Sequence, residues 1–147
     1  MASAKPGITL ENALPAHYAT ILGFAEEACR RIVRPWPTQV FPIHFHSELM
    51  GIEAQKLGMD QAEIEAAIAH DLPLMTDVKF ENLELLVSDH AVDLLHELTP
   101  TSRALLNPEQ FDLTEYLALL SKSKSPVQTI ALLDAVQTAI NVGNRQL

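Results

Sequence analysis

Four side chains of this chain are most able to do chemistry together. They are His46, the adjacent pair His70-Asp71, and Asp134 within Ile130-Ala131-Leu132-Leu133-Asp134-Ala135. Two imidazoles and two carboxylates can converge on one divalent cation, and such a nitrogen and oxygen set suits Mn, Fe, Zn or Mg depending on geometry. A carboxylate between Leu133 and Ala135, in a stretch that otherwise reads as core, is costly to bury unpaired. A metal would offset that cost. His44 is the rival to His46, but residues two apart on a helix point nearly opposite ways, and the spacing favours His46. Taken alone, His70-Asp71 is a common dipeptide whose histidine could answer a helix dipole, and Asp134 could be solvated or paired with a lysine. The four in order and in helical frame make the pattern. His17, His90 and His96 read as surface or capping histidines, and Glu48 and Glu53 as exposed.

The elements that must position these residues read as helices. Residues 1–14 form a loose arm, and residues 15–147 a single domain. Pro15 suits a first helical turn. From it Tyr18, Ile21, Leu22, Ala25, Ala28, Cys29 and Ile32 recur at three- and four-residue steps, which predicts an amphipathic helix ending near Arg34. Pro35, Pro37 and Pro42 impose a stiff extended connector. A second helix runs from Phe45 to Lys56 and closes at Gly58. Asp60 and Glu63 form a capping box for a third, Gln61 to His70, which Pro73 ends. Asp77 or Thr76 opens the next turn. Leu83, Leu86, Val87, Ala91, Leu94, Leu95 and Leu98 predict one long helix from Phe80 to Leu98, stopped by Pro100. Thr101 to Asn107 reads as a connector and Pro108 to Ser121 as a further helix. Ser125 and Pro126 start the last helix, which reaches about Val142 before Gly143. The separation of 24 residues between His46 and His70 suits two antiparallel helices joined by a tight turn.

Composition bounds the function. The chain has 147 residues, 48% of them hydrophobic, which is one ordinary domain with a core. Its 19 acidic and 10 basic residues give a formal charge of −9. That balance repels nucleic-acid phosphates and anionic membranes, so neither is an expected partner. Cys29 is the single cysteine and allows no internal disulfide. No apolar run approaches a membrane span, and residues 1–7 lack the pattern of a secretory signal. A cytoplasmic setting is expected; oligomeric state is left open. Ala54, Gly58 and Ile64 match helix-turn-helix spacing, but the would-be reading helix from Asp60 to Ala67 has no lysine or arginine for phosphate or guanine. Cys29, mid-helix beside Arg30 with no neighbouring histidine, is a poor nucleophile.

Several stretches resemble a known family. These are Phe24-Ala25 followed by Arg30, Pro42 with His46, Leu57-Gly58-Met59-Asp60, Ile64, Ala66-Ala67, His70-Asp71, Val92 to Thr99, and Leu132-Leu133-Asp134. Together, from about Tyr18 to Val142, they resemble the HD superfamily of metal-dependent phosphohydrolases, and within it the hydrolase domain of RelA/SpoT proteins and their small metazoan homologues. The resemblance implies an all-α, HD-domain-like helical bundle. It implies metal ligands His46, His70, Asp71 and Asp134, with Mn foremost and Fe, Zn or Mg as alternatives. The chemistry it implies is removal of pyrophosphate from a guanosine alarmone. Arg30, Arg31 and Arg34 stand for part of the family's phosphate-gripping basic cluster, whose later part is replaced by Pro35-Trp36-Pro37-Thr38.

This chain also departs from the family. Where the family follows its His-Asp with two residues and then Glu-Asp, this chain has Leu72-Pro73-Leu74-Met75. Apolar side chains cannot take a proton, so the general-base position is vacant. Asp77, a short turn beyond Met75, is the candidate replacement, although a helix cap is its simpler role. The family's Arg and Asn after its last ligand are Ala135 and Thr138. Two functions follow as expectations. One is a metal-dependent phosphohydrolase acting on a nucleotide or other small phosphate ester. The other is a pseudoenzyme of the same fold that senses a nucleotide or binds a protein partner.

Overall fold

The computed structural model describes residues 13–30, 43–106 and 110–146, and every regular element among them is helical. A 3-10 turn, Ala16–Tyr18, leads into α1 (Ala19–Cys29). Then follow α2 (Ile43–Lys56), α3 (Gln61–Ala69), α4 (Leu72–Met75), α5 (Phe80–Leu83), α6 (Asp89–Leu105), α7 (Leu113–Lys122) and α8 (Ser125–Gln146). The chain is an all-α bundle, as its periodicity predicts. The arm over residues 1–12, the proline connector with Trp36, and Pro108 lie outside the described residues.

The α2–α3 corner is built by local chemistry. Gly58 takes a φ of +76°, which only glycine adopts without strain. Its amide donates to the Gln55 carbonyl at 3.0 Å, and the Met59 amide donates to the Ala54 carbonyl at 3.1 Å. This pair of bonds is the Schellman closure of a helix. One residue on, the Asp60 carboxylate accepts from the Glu63 amide at 2.9 Å, and the Glu63 carboxylate accepts from the Asp60 amide at 2.8 Å. The capping box read from the sequence is thus formed. α2 and α3 then pack antiparallel and close, because Gly51 has no Cβ. One placed there would come within 2.7 Å of Ile68 and 2.9 Å of Leu14.

α2 is the middle of the bundle, packed against α1, α3 and α8, while α6 packs against α3, α7 and α8. Met50, Ile68, Leu72, Leu83, Leu94, Leu95, Leu98 and Ile130 fill the space between them. Each such side chain contributes about 1.5–3 kcal/mol on leaving water. Among the described residues no helix is long and apolar enough to cross a membrane.

Several predicted boundaries are corrected. The helix predicted through Arg34 has its α-helical part end at Cys29, with Arg30 as C-cap. Pro73 does not end α3. α3 stops at Ala69, and Pro73 falls in the first turn of α4, where its missing amide costs nothing. The single helix from Phe80 to Leu98 is two, because the Ser88 hydroxyl accepts from the Ala91 amide at 3.3 Å and starts α6 afresh. Pro100 does not stop α6, which continues to Leu105. Leu98, Thr101 and Ser102 are buried on both sides of the proline, so packing outweighs the roughly 3 kcal/mol penalty of an interior proline. Asp112, not Pro108, opens α7, its carboxylate accepting from the Glu115 amide at 3.2 Å. α8 runs through Gly143 to Gln146.

Candidate metal centre

Three separate stretches deliver the four predicted ligands to one point. His46 comes from the first turns of α2, Asp134 from the middle of α8, and His70-Asp71 from the turn between α3 and α4. One donor atom from each lies within 4.8 Å of every other. His46 Nε2 is 3.0 Å from Asp134 Oδ1, 3.3 Å from His70 Nε2 and 3.6 Å from Asp71 Oδ2. His70 Nε2 is 3.2 Å from Asp71 Oδ2 and 3.3 Å from Asp134 Oδ1. Donors held at bonds of about 2.0–2.2 Å stand about 3 Å apart when adjacent in an octahedron and about 3.4 Å apart in a tetrahedron. Four of the five separations lie in that range, and the fifth, His46 to Asp71 at 3.6 Å, is slightly longer.

Proton accounting supports the same fit. His70 Nδ1 lies 2.6 Å from the Ala67 carbonyl. A carbonyl only accepts, so the proton is on Nδ1 and Nε2 turns toward the cluster. Fixing a ligand's tautomer through its far nitrogen is the usual outer support of a metal-bound imidazole. Asp71 Oδ2 is buried and accepts no hydrogen bond. The four residues are 1–3% exposed, so water cannot screen the two carboxylates and something cationic must face them. The residues therefore form a buried cluster that could hold a metal ion.

Without a metal, the cation is the His70 ring. Burial pushes that imidazole down, but the carboxylates of Asp71 and Asp134 overcome it and hold His70 well above its ordinary value of 6.5. Burial likewise raises Asp134, and the adjacent His70 and His46 overcome that to hold its carboxyl far below the ordinary carboxylate range.

The remaining candidates are placed as follows. Asp77 follows α4 on an exposed bend and is not one of the four clustered residues. Arg30 is exposed at the end of α1 and pairs with Glu27 at 3.2 Å and Glu26 at 3.4 Å. Arg31 and Arg34 lie outside the described residues. In α4, Leu72 and Met75 are buried and Pro73 and Leu74 half-buried. Met75 packs with Cys29 and Leu106. Burial first, and then the Asp71 charge, push the Cys29 thiol up to about 11, so it stays protonated and is no nucleophile. Thr138, one turn past Asp134, has a buried hydroxyl without a hydrogen-bond partner.

His17, His90 and His96 are exposed, and His96 stacks on Phe80 with ring centroids 4.0 Å apart. Sequence reasoning misplaced Glu48, which is buried at 8% exposure, and Glu53, which is half-buried. For Glu48 the cause is tertiary and carried no signal in the sequence. α2 is enclosed by three helices, so a residue two positions from an inward histidine is still covered. Comparison with protein-family models, with curated proteins and with solved structures returns no match.

Proposed function

We propose that this chain is an HD-type metal-binding domain acting on a nucleotide or another small phosphate ester. His46, His70, Asp71 and Asp134 would hold one divalent ion, with Mn foremost and Fe, Zn or Mg as alternatives. The observation that carries this reading is the meeting of four donors from three distant stretches in the order the HD pattern requires. When bound, the ion supplies Lewis acidity toward a phosphoryl oxygen and lowers the pKa of a coordinated water. The chain's own contributions are distinct. Ala67 fixes the His70 ring. Arg30 would exchange Glu26 and Glu27 for a phosphate, and Asp77, exposed just beyond α4, would take the proton. The test is metal content by plasma mass spectrometry, followed by phosphatase assays with Mn on nucleotides that include pyrophosphorylated guanosine. Activity should vanish in His70→Ala and Asp134→Ala; activity unchanged in both sinks the reading.

A second reading rests on α4. The residues where the family carries its water-activating acids are apolar, and Met75 is packed against Cys29 and Leu106. A domain of this kind would keep the fold and the ion while acting as a nucleotide sensor or protein-interaction module. Tight nucleotide or partner binding without turnover would distinguish it. Under that reading, the double substitution Leu74→Glu, Met75→Asp creates measurable hydrolysis if only the acids were lost.

A further inference from the structure

We propose that Tyr116 is a positioning residue of the metal centre. By holding the Ala131 carbonyl of α8, its hydroxyl sets the depth at which Asp134 enters the cluster. The proposal rests on the metal-binding reading above. His70 and Asp71 are fixed locally, by the Ala67 carbonyl and by their place in a two-residue turn. Asp134 sits mid-way along a 22-residue helix, so its position depends on where α8 as a whole is held. Among the described residues, two side-chain bonds tie α8 to α7. Gln128 Nε2 donates to the Leu120 carbonyl at 2.8 Å, and the Tyr116 hydroxyl donates to the Ala131 carbonyl at 3.2 Å. The second acts on the turn that ends in Asp134. Tyr116 is itself buried at 4% exposure. It lies within the field of the Asp134 carboxylate, which, after burial, is the further reason its phenol is pushed up to about 12. The phenol thus stays protonated and can only donate to Ala131 there.

The hydroxyl is not needed to satisfy the carbonyl, which in an α-helix already accepts from the amide four residues on. A purely structural role for Tyr116 lies in its ring, and phenylalanine would fill that role. The hydroxyl adds a direction and a distance. Groups hydrogen-bonded directly to a metal ligand typically change metal affinity ten- to a hundredfold when removed. Tyr116 acts one link further out, through the helical turn that carries Asp134, so the low end of that range is expected.

The experiment uses the full chain and Co2+ as probe, with affinity read by chelator competition and ligand geometry by the visible absorption bands. Tyr116→Phe should weaken Co2+ binding about tenfold and alter the absorption envelope, with the metal-free melting temperature nearly unchanged. Leu120→Ala, in the same α7–α8 seam, should lower the melting temperature yet keep Co2+ affinity within about twofold, since it leaves the Ala131 carbonyl bond intact. Tyr116→Phe binding Co2+ with wild-type affinity and spectrum overturns the proposal. So does an equal loss of affinity in Leu120→Ala, which would mean general loosening. A wild-type chain that takes up no ion overturns the metal reading itself, and is told apart because no variant is needed to see it.

Discussion

Loading the centre with a divalent ion near neutral pH should release about one proton per ion. In the ion-free cluster His70 carries two protons. The Nδ1 proton is committed to the Ala67 carbonyl at 2.6 Å and stays; the one on Nε2 faces the other donors and must leave. Burial opposes the imidazolium, but Asp71 and Asp134 hold it well above 6.5, so at pH 7 most of the population has that proton to give. Asp134 is held far below the carboxylate range and has none. The affinity should therefore rise about tenfold per pH unit, or about 1.4 kcal/mol, until the raised His70 value is passed, and flatten above it. Titration calorimetry at one pH, in buffers of different ionisation enthalpy, counts the proton directly. A heat independent of buffer, with affinity flat across pH 6–8, would refute the assignment of His70 as the resident cation. The ion-free protein carries the mirror-image signature. The His70 contribution to stability is present below its ordinary value and lost as pH rises through the raised one. That of Asp134 is present above the ordinary carboxylate value and lost as pH falls through its lowered one. Melting in chelator should thus give a plateau between these limits, falling on both sides, and adding metal should lift the alkaline side.

Three substitutions test the scaffold. Asp134→Asn removes one partner of a buried ionic cluster, so it should cost the ion-free protein about 3 kcal/mol in urea unfolding and abolish metal-induced stabilisation. A melting curve still raised by metal would show that Asp134 is not a ligand. Gly51→Ala pushes a methyl against Ile68 and Leu14, which should cost about 1–2 kcal/mol. Because α2 carries His46 and α3 leads directly into His70, metal affinity should fall with it, measured on the same sample. Ser88→Ala removes the cap of α6 and the hydroxyl that donates to buried Glu65 at 3.2 Å. A loss of about 1 kcal/mol or more is expected, with metal affinity unchanged.

The cluster was legible only in part: a tight corner between two helices can pair His46 with His70, but Asp134 lies 88 residues from His46 and entered through the family resemblance and the helical frame. His46, His70, Asp71 and Asp134 do meet. The α2–α3 corner was legible because Gly58, Asp60 and Glu63 act within a few residues of themselves. Tertiary packing decided what was misread. The buried face of Leu94, Leu95 and Leu98 continues through Thr101 and Ser102, and this register carries α6 across Pro100 where local propensity says stop. Ser88 with Asp89 after it was a readable start signal that the unbroken leucine pattern hid. Tyr116 carried no signal. Its role depends on α7 lying against α8 at Ala131, which no spacing within either helix reveals.

Under the proposed reading, holding an ion and turning over a phosphate ester would be separable. The four clustered residues sit on α2, on the turn before α4, and on α8. Three are placed by groups outside α4, namely the corner bonds at Gly58 and Asp60, the Ala67 carbonyl and the α7 contacts of α8, while Asp71 is the N-cap of α4, its carbonyl accepting from the Leu74 and Met75 amides. α4 itself contributes Leu72 and Met75, both buried and neither in the cluster. Apolar residues there can fill the core without disturbing a ligand. A carboxylate at position 75 would instead be buried close to Asp71, which already presses on its neighbours Cys29 and His70. Such an acid is tolerable only when a cation is bound to offset it. The apolar α4 therefore spares the ion-free fold a buried charge, and under the proposed reading it also leaves no proton acceptor at these positions. Metal affinity should thus be indifferent to changes at Leu74, while turnover on a phosphate ester should depend on them.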